Sequence, residues 1–531
     1  MAMIRRGSVR KVKKYGSRRR PVAIALASLA SVALGGSLLH SVTAGALTTY
    51  NPATDPYSMA AVTADLGAAD WWNAGYTGQG IDVAVIDSGV APVAGLNTPG
   101  KVVYGPDLSL ESQAPNLQNL DTFGHGTFMA GLIAGHDSTL TAPYANAPAT
   151  AYRGIAPDAR IVSLKVATAD GGADVTQVIA AINWVVQHKN DNGLNIRVLN
   201  LSYGTNSGQP ADVDPLSFAV EQAWRSGIVV VASAGNTGYQ KGVGAPGLSS
   251  PAYNPFVMAV GGFDSMGTSS LKDDRVGTYS ASSAGCKQLC KNPDIVAAGS
   301  HLQGLRVPNS FIDASFSAGR LGDRYFRGSG TSQAAAIASG TVALILQQHP
   351  EYSPDEVKAI ISSSTKKIAG IDSKGQGAGE IDMAKLFAGK YPKNPNQSFS
   401  PSTGTGSIEL ARGRGHLSRN NVALTGEKDV FGKAINTTAL ATASAQGSTW
   451  SGGTWNGSTW SGSTWSGSTW SGSTWSGSTW SGSTWSGSTW SGSTWSGSTW
   501  SGSTWSGSTW SGSSWSGSQW DSSIWATGSW A

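Results

Sequence analysis

Four short, β-rich apolar runs punctuate the first half of the chain: Ile81 to Ile86, Ile161 to Val166, Arg197 to Leu201 and Ile228 to Ala232, each bounded by Gly, Asp or Asn. Unbroken apolar runs of this length suit strands of a parallel sheet covered on both faces, because such strands have no solvent side on which polar residues would alternate. Between the second and third, Val175, Val178, Ile179, Ile182, Val185 and Val186 follow the i, i+3, i+4, i+7 spacing of an amphipathic helix. Strand, helix, strand alternation predicts an α/β class domain, a doubly wound parallel sheet whose sites lie at the carboxyl ends of strands. Asp87 and Asn236 fall at such ends. A second long helix is predicted from Ser332 to Gln348, stopped by Pro350. An Ala/Gly-rich stretch, Thr127 to Ala134, follows His125, and its small residues would let two helices approach closely.

This pattern fails at both ends. Residues 1–46 hold nine of the 37 Lys and Arg and no acid, and without them the net charge of +5 becomes −4. The basic balance therefore belongs to the leader, and a nucleic-acid partner loses its support. An apolar run from Val22 to Leu39, followed by Ala44-Gly45-Ala46, has the form of a signal peptide with a small-x-small cleavage site, and predicts export. The alternative is an uncleaved membrane anchor, since the run approaches the length of a span. Residues 47–390 are expected to form the α/β domain. Residues 391–449 read as a linker rich in Ser, Thr, Asn and Gly, with one better-patterned patch, Gly406 to Phe431, as a candidate to pack on the domain. From 450 to 530 a Trp stands at every fifth position, mostly as SGSTW, with Asp521 the one charge.

Three glycine-flanked segments carry the chemistry: Asp87 in IDVAVIDSGV, His125 in GHGTFMAG and Ser332 in RGSGTSQAAA. A hydroxyl nucleophile, an imidazole to take its proton and a carboxylate to orient the imidazole are what acyl transfer requires. Each segment alone is weak evidence, since a DSG after an apolar run is commonly a turn. The order Asp, His, Ser is one known for such triads. Together with NLSYG (200–204), VASAGN (231–236), SSPAYNPFVMAVGGFDS (from Ser249) and PDIVAAG (from Pro293), they resemble the subtilisin-like serine peptidases, the S8 or subtilase family, over roughly residues 60–390.

That resemblance implies a secreted or cell-surface serine endopeptidase acting on protein or peptide substrates. Ser332 would attack the carbonyl, His125 would be base and then acid, and Asp87 would orient His125. Asn236 would serve the oxyanion hole, with Ser202, Tyr203, Gly204, Ala234 and Gly235 binding the substrate as an added strand and walling its pocket. Phe128 stands where many members have a second histidine and Gln333 where methionine is common. Only about a dozen residues separate Ala46 from the apparent domain start near Ser58, so the usual propeptide is missing, and the expectation is folding unaided or with help in trans. No cofactor is assigned and no metal ligand is named; a calcium site is left open and unplaced. For Cys286 and Cys290, a disulfide and free thiols remain equal alternatives.

The tail admits two main readings. Five residues advance a helix by about 500° and alternate faces along a strand, so the period specifies no packed core. It is then either a low-complexity end or an attachment element whose Trp stack on cell-wall glycan. The rival for the whole chain is a surface or matrix structural protein with an inactive peptidase-like domain and an adhesive repeat.

Overall fold

The computed structural model describes residues 50–459, apart from 113, 115, 239–246, 285, 287–289, 390–394, 420–421 and 452. The expected signal peptide and the repeat beyond Thr459 lie outside the described residues. Among those described, no helix is long and apolar enough to cross a membrane.

A ten-stranded sheet organises the domain. Its strands are β1 (Asp82–Asp87), β2 (Val102–Tyr104), β3 (Arg160–Lys165), β4 (Ile196–Leu201), β5 (Val229–Ser233), β6 (Met258–Asp264), β7 (Arg275–Val276), β8 (Ile295–Ala298), β9 (Thr365–Lys366) and β10 (Glu380–Ile381). The order is β9-β10-β8-β6-β5-β4-β1-β3-β2, with β7 on β6. Every pairing is parallel except β9 with β10 and β6 with β7. All six residues of β1 are buried, with the apolar run Val83–Ile86 between two aspartates. From β1 the chain passes first to β2 and β3 on one side and later to β4 on the other, so β1 sits where the strand order reverses, and such a switch point places a crevice at its carboxyl end. Asp87 is the last residue of β1.

Four helices frame the sheet: α1 (His125–Ala134), α2 (Val175–His188), α3 (Pro215–Arg225) and α4 (Thr331–Gln348). Helix α2 begins where its periodicity begins because Asp174 and Gln177 close a capping box: Asp174 accepts from Thr176 N at 3.0 Å, and Gln177 Oε1 accepts from Asp174 N at 2.7 Å. Helices α1 and α4 pack together, and α4 also lies on β4, β5 and β6. Small residues allow this closeness: a Cβ added at Gly340 of α4 would come within 3.3 Å of the Ile133 carbonyl of α1.

The segment expected as a linker differs from that expectation, for from residue 395 it is docked on the domain. The helix Ile408–Arg412 inserts Arg412, fully buried, against Asp174, and the helix Thr437–Ala445 hydrogen-bonds α2 through Ser444 Oγ to Asn183 Oδ1 at 2.9 Å. The first repeats then form a three-stranded antiparallel meander, Trp450–Ser451, Thr454–Trp455 and Ser458–Thr459. Trp450 stands directly opposite Trp455, which places both rings on one face. The alternation argued from a straight strand fails here because the chain reverses within each pentad; at Asn456 and Gly457, with φ of 50° and 67°, the reversal has the left-handed backbone of a tight hairpin turn. Trp450 and Trp455 are buried, and Trp450 Nε1 donates to Ala180 O of α2 at 2.9 Å. Cys286 and Cys290 are joined in a disulfide.

Candidate active site

Asp87 projects from the carboxyl end of β1, and His125 opens α1, so the strand order brings carboxylate and imidazole together from 38 residues apart. His125 Nδ1 lies 2.8 Å from Asp87 Oδ1 and 2.9 Å from Oδ2, and both residues are fully buried. A carboxylate on Nδ1 fixes the tautomer that presents Nε2 as the base. Gly126 is needed for this approach, since a Cβ there would run into the Gly89 carbonyl and come within 3.1 Å of Asp87 Cβ.

Ser332 is the second residue of α4, so its hydroxyl stands at a helix N-terminus where developing negative charge is favoured. Its Oγ donates to the carbonyl of Ser202 at 3.3 Å, and Ser202 Oγ donates back to Ser332 O at 3.2 Å. Asn200 Nδ2 holds Ser202 Oγ at 3.1 Å, and Ser339 Oγ holds Asn200 Oδ1 at 3.0 Å, which stitches the end of β4 to α4.

Asn236 follows β5. Its Oδ1 accepts from both the backbone N and the Oγ1 of Thr331, each at 3.0 Å. This fixes the amide and turns Nδ2, a buried donor, away from Thr331; it has no hydrogen-bond partner among the described residues. Thr331 Oγ1 accepts in turn from Gly235 N at 3.1 Å. A buried N–H held rigidly and left unpaired is what an oxyanion site requires.

The residues predicted to receive substrate flank Ser332 and Asn236. Ser202, Tyr203 and Gly204 continue from β4, and Ala234 and Gly235 from β5, all of them buried. Tyr203 is wholly buried. Phe128 packs inside α1, where a Cβ added at Gly304 would strike its ring. Gln333 is buried beside Ser332, and neither of its amide atoms has a partner among the described residues. No group of three or more His, Cys, Asp or Glu able to hold a metal is present among the described residues.

Three residues of the site were not singled out from the sequence: Ser88, Asp121 and Thr331. Each had a local signal. Ser88 is the hydroxyl of the DSG turn, Asp121 is an acid four residues before His125, and Thr331 precedes the serine.

An α/β sheet with a buried carboxylate–imidazole pair at the end of β1 and the start of α1, and a serine at the start of α4, suits a serine hydrolase. The chain belongs to the subtilase family of serine proteases, whose sequence profile matches residues 78–379. Serine protease AprX of Bacillus subtilis (strain 168) is 35% identical over 318 residues, covering 59% of this chain and 67% of that protein. Subtilisin DY of Bacillus licheniformis is 30% identical over 332 residues, or 62% and 98% of the two chains. Among solved structures, the prenylagaramide maturation protease PagA aligns with a TM-score of 0.45 and 22% identity over 61% of this chain and 98% of that one. The protein is thus a serine endopeptidase with a subtilisin-like α/β fold.

Proposed function

We propose that the protein is exported and cleaves peptide bonds through Asp87, His125 and Ser332, with Asn236 in the oxyanion hole. The observation that carries this reading is the buried Asp87–His125 contact at 2.8 Å, set beside an oriented, unpaired Asn236 amide. A substrate strand laid along Ser202 to Gly204 brings an N–H to the Ser202 carbonyl and displaces the Ser332 hydroxyl from it. Ser332 Oγ then attacks the carbonyl carbon while His125 Nε2 takes its proton, and the tetrahedral oxyanion accepts from Asn236 Nδ2 and Ser332 N. Collapse breaks the C–N bond, and His125 gives the proton to the departing amine. Water, deprotonated by His125, then hydrolyses the acyl-Ser332 ester. Asp87 holds the imidazolium at each stage.

Ser202, Gly204, Ala234 and Gly235 are small and uncharged, which favours large apolar side chains at the residue preceding the cleaved bond. Residues 1–46 direct export, and the Trp repeat retains the enzyme on cell-wall glycan by many weak contacts. The test is labelling with a fluorophosphonate: the native chain takes the label on Ser332, and Ser332→Ala takes none and has no turnover. Wild-type turnover in Ser332→Ala overturns the assignment.

A further inference from the structure

Ser88 follows Asp87 directly, and its single hydroxyl proton has two carboxylates within reach. Ser88 Oγ lies 2.8 Å from Asp121 Oδ1 and 3.2 Å from Asp87 Oδ1, and it accepts from Gly126 N at 2.9 Å. All three side chains are buried. Asp121 gathers donors: Gly124 N at 2.6 Å, Thr127 N at 2.8 Å and the Thr127 hydroxyl, besides Ser88. Because Gly124 and Thr127 bracket His125, this carboxylate anchors the start of α1. Asp87, by contrast, takes Ser88 N at 2.7 Å and His125 Nδ1.

The geometry points to Asp121 as a positioning residue of the active site. It draws the Ser88 hydroxyl proton to itself and away from Asp87, so that the charge of Asp87 acts undivided on His125. This rests on the triad reading above. A carboxylate that gains a hydrogen bond from a hydroxyl stabilises an adjacent imidazolium less, which lowers the imidazole pKa. The charged groups of β3 and of the loops after β2 and β3 are already engaged. Lys165, opposite Asp87 in the β1–β3 register, binds Glu111 at 2.6 Å and the Leu120 carbonyl. Asp107 accepts from Asn119 N at 2.8 Å and Ser109 Oγ at 2.6 Å, and Asp170 accepts from Thr168 Oγ1 at 2.7 Å.

The experiment is the pH profile of kcat/KM, whose acidic limb reports His125 in the unliganded enzyme. In Asp121→Asn the side-chain amide can donate to Ser88, which turns the hydroxyl onto Asp87, so the limb should move down by about half a unit or more. Asp121→Asn combined with Ser88→Ala should return it to the wild-type position. A limb unmoved in the single variant, or not restored in the double, overturns the proposal. Should Asp121→Asn not fold, Ser88→Ala decides alone: an unmoved limb upholds the assignment, and an upward shift shows that the hydroxyl had served Asp87. Fluorophosphonate labelling of Ser332 in the same samples separates this outcome from failure of the triad reading, which would remove the label from Ser332 in the wild type as well.

Discussion

Arg412 and Asp174 form an ion pair sealed from solvent, with Nε 2.6 Å from Oδ2, and through it the chain beyond the peptidase core is tied to the N-cap of α2. Of the remaining guanidinium nitrogens, Nη1 donates to Gly426 O at 2.6 Å and to Glu409 Oε2 at 3.2 Å, and Nη2 to Lys428 O. Close by, Thr205, one residue beyond the proposed substrate strand, donates its hydroxyl to Ala411 O at 2.6 Å. The extension therefore reaches the substrate side of the enzyme as well as its helices.

Removing one partner of such a pair leaves a buried charge without compensation. Arg412→Ala should destabilise the fold by about 3–5 kcal/mol, because Asp174 would remain desolvated and the cap of α2 would be strained. Denaturant unfolding in the Ser332→Ala background, chosen to prevent self-digestion, would measure it. A loss below about 1 kcal/mol, the scale of a surface pair, would show that the extension contributes little to the folded state.

A second consequence concerns pH. Burial first, and the Asp274 carboxylate second, push Glu380 on β10 up to about 8, and burial raises Asp274 too. The folded chain thus retains a proton that an unfolded Glu releases above about pH 4.3. The stability linked to that proton is complete below the unfolded value and is lost as pH rises through about 8. The melting temperature should fall from about pH 5 to about pH 9, and Glu380→Gln, which keeps a donor toward Asp274 at every pH, should flatten that fall. Parallel curves for wild type and variant would sink the idea.

The core was legible because it rests on local sequence, as were the segments that carry the three catalytic candidates. The run ending at Asp87 is a fully buried strand, the periodic stretch from Val175 is a capped helix, and Asn236 lies just past β5. Asp121 and Ser88 were less legible, since their roles depend on α1 folding back over the end of β1. The docked extension was legible only as one better-patterned patch, Gly406 to Phe431, and for a different reason. Its helices are short, five residues at Ile408–Arg412, and too brief for periodicity to register; their stability comes from tertiary partners such as Asp174 and Asn183.

The docked pentads carry their own sequence mark. Against SGSTW, the pentads spanning 451–460 depart at two positions, Gly453 and Asn456. These are residues with left-handed backbone, φ of 80° and 50°, and Asn456 Nδ2 also donates to Asp429 Oδ2 at 2.8 Å. Restoring the repeat consensus with Gly453→Ser and Asn456→Ser places Ser at both, at a cost of about 1–2 kcal/mol per residue. The meander should then leave α2, and trypsin, added to the Ser332→Ala background, should cut at Lys433 far faster than in the parent. Equal cleavage rates would mean that the turn residues do not fix the docked hairpin.

Truncation can separate anchoring from retention. Trp450 and Trp455 are buried against the domain, and Gln187 of α2 grips Trp450 twice, donating Nε2 to its carbonyl at 2.9 Å and accepting from its N at 3.2 Å. A chain ending at Ala445 loses this packing and uncovers α2. Losing a buried Trp typically costs about 3–5 kcal/mol, so this chain should melt several degrees lower. A chain ending at Thr459 keeps both rings and should melt with the full-length protein. Both should hydrolyse soluble peptides at 25 °C, yet neither should sediment with isolated cell walls, because the tethered Trp that would supply avidity are gone. Sedimentation of the Thr459 chain equal to that of the full-length protein would eliminate the repeat as the retaining element. Melting of the Ala445 chain at the full-length temperature would show that the docked pentads do not support the domain.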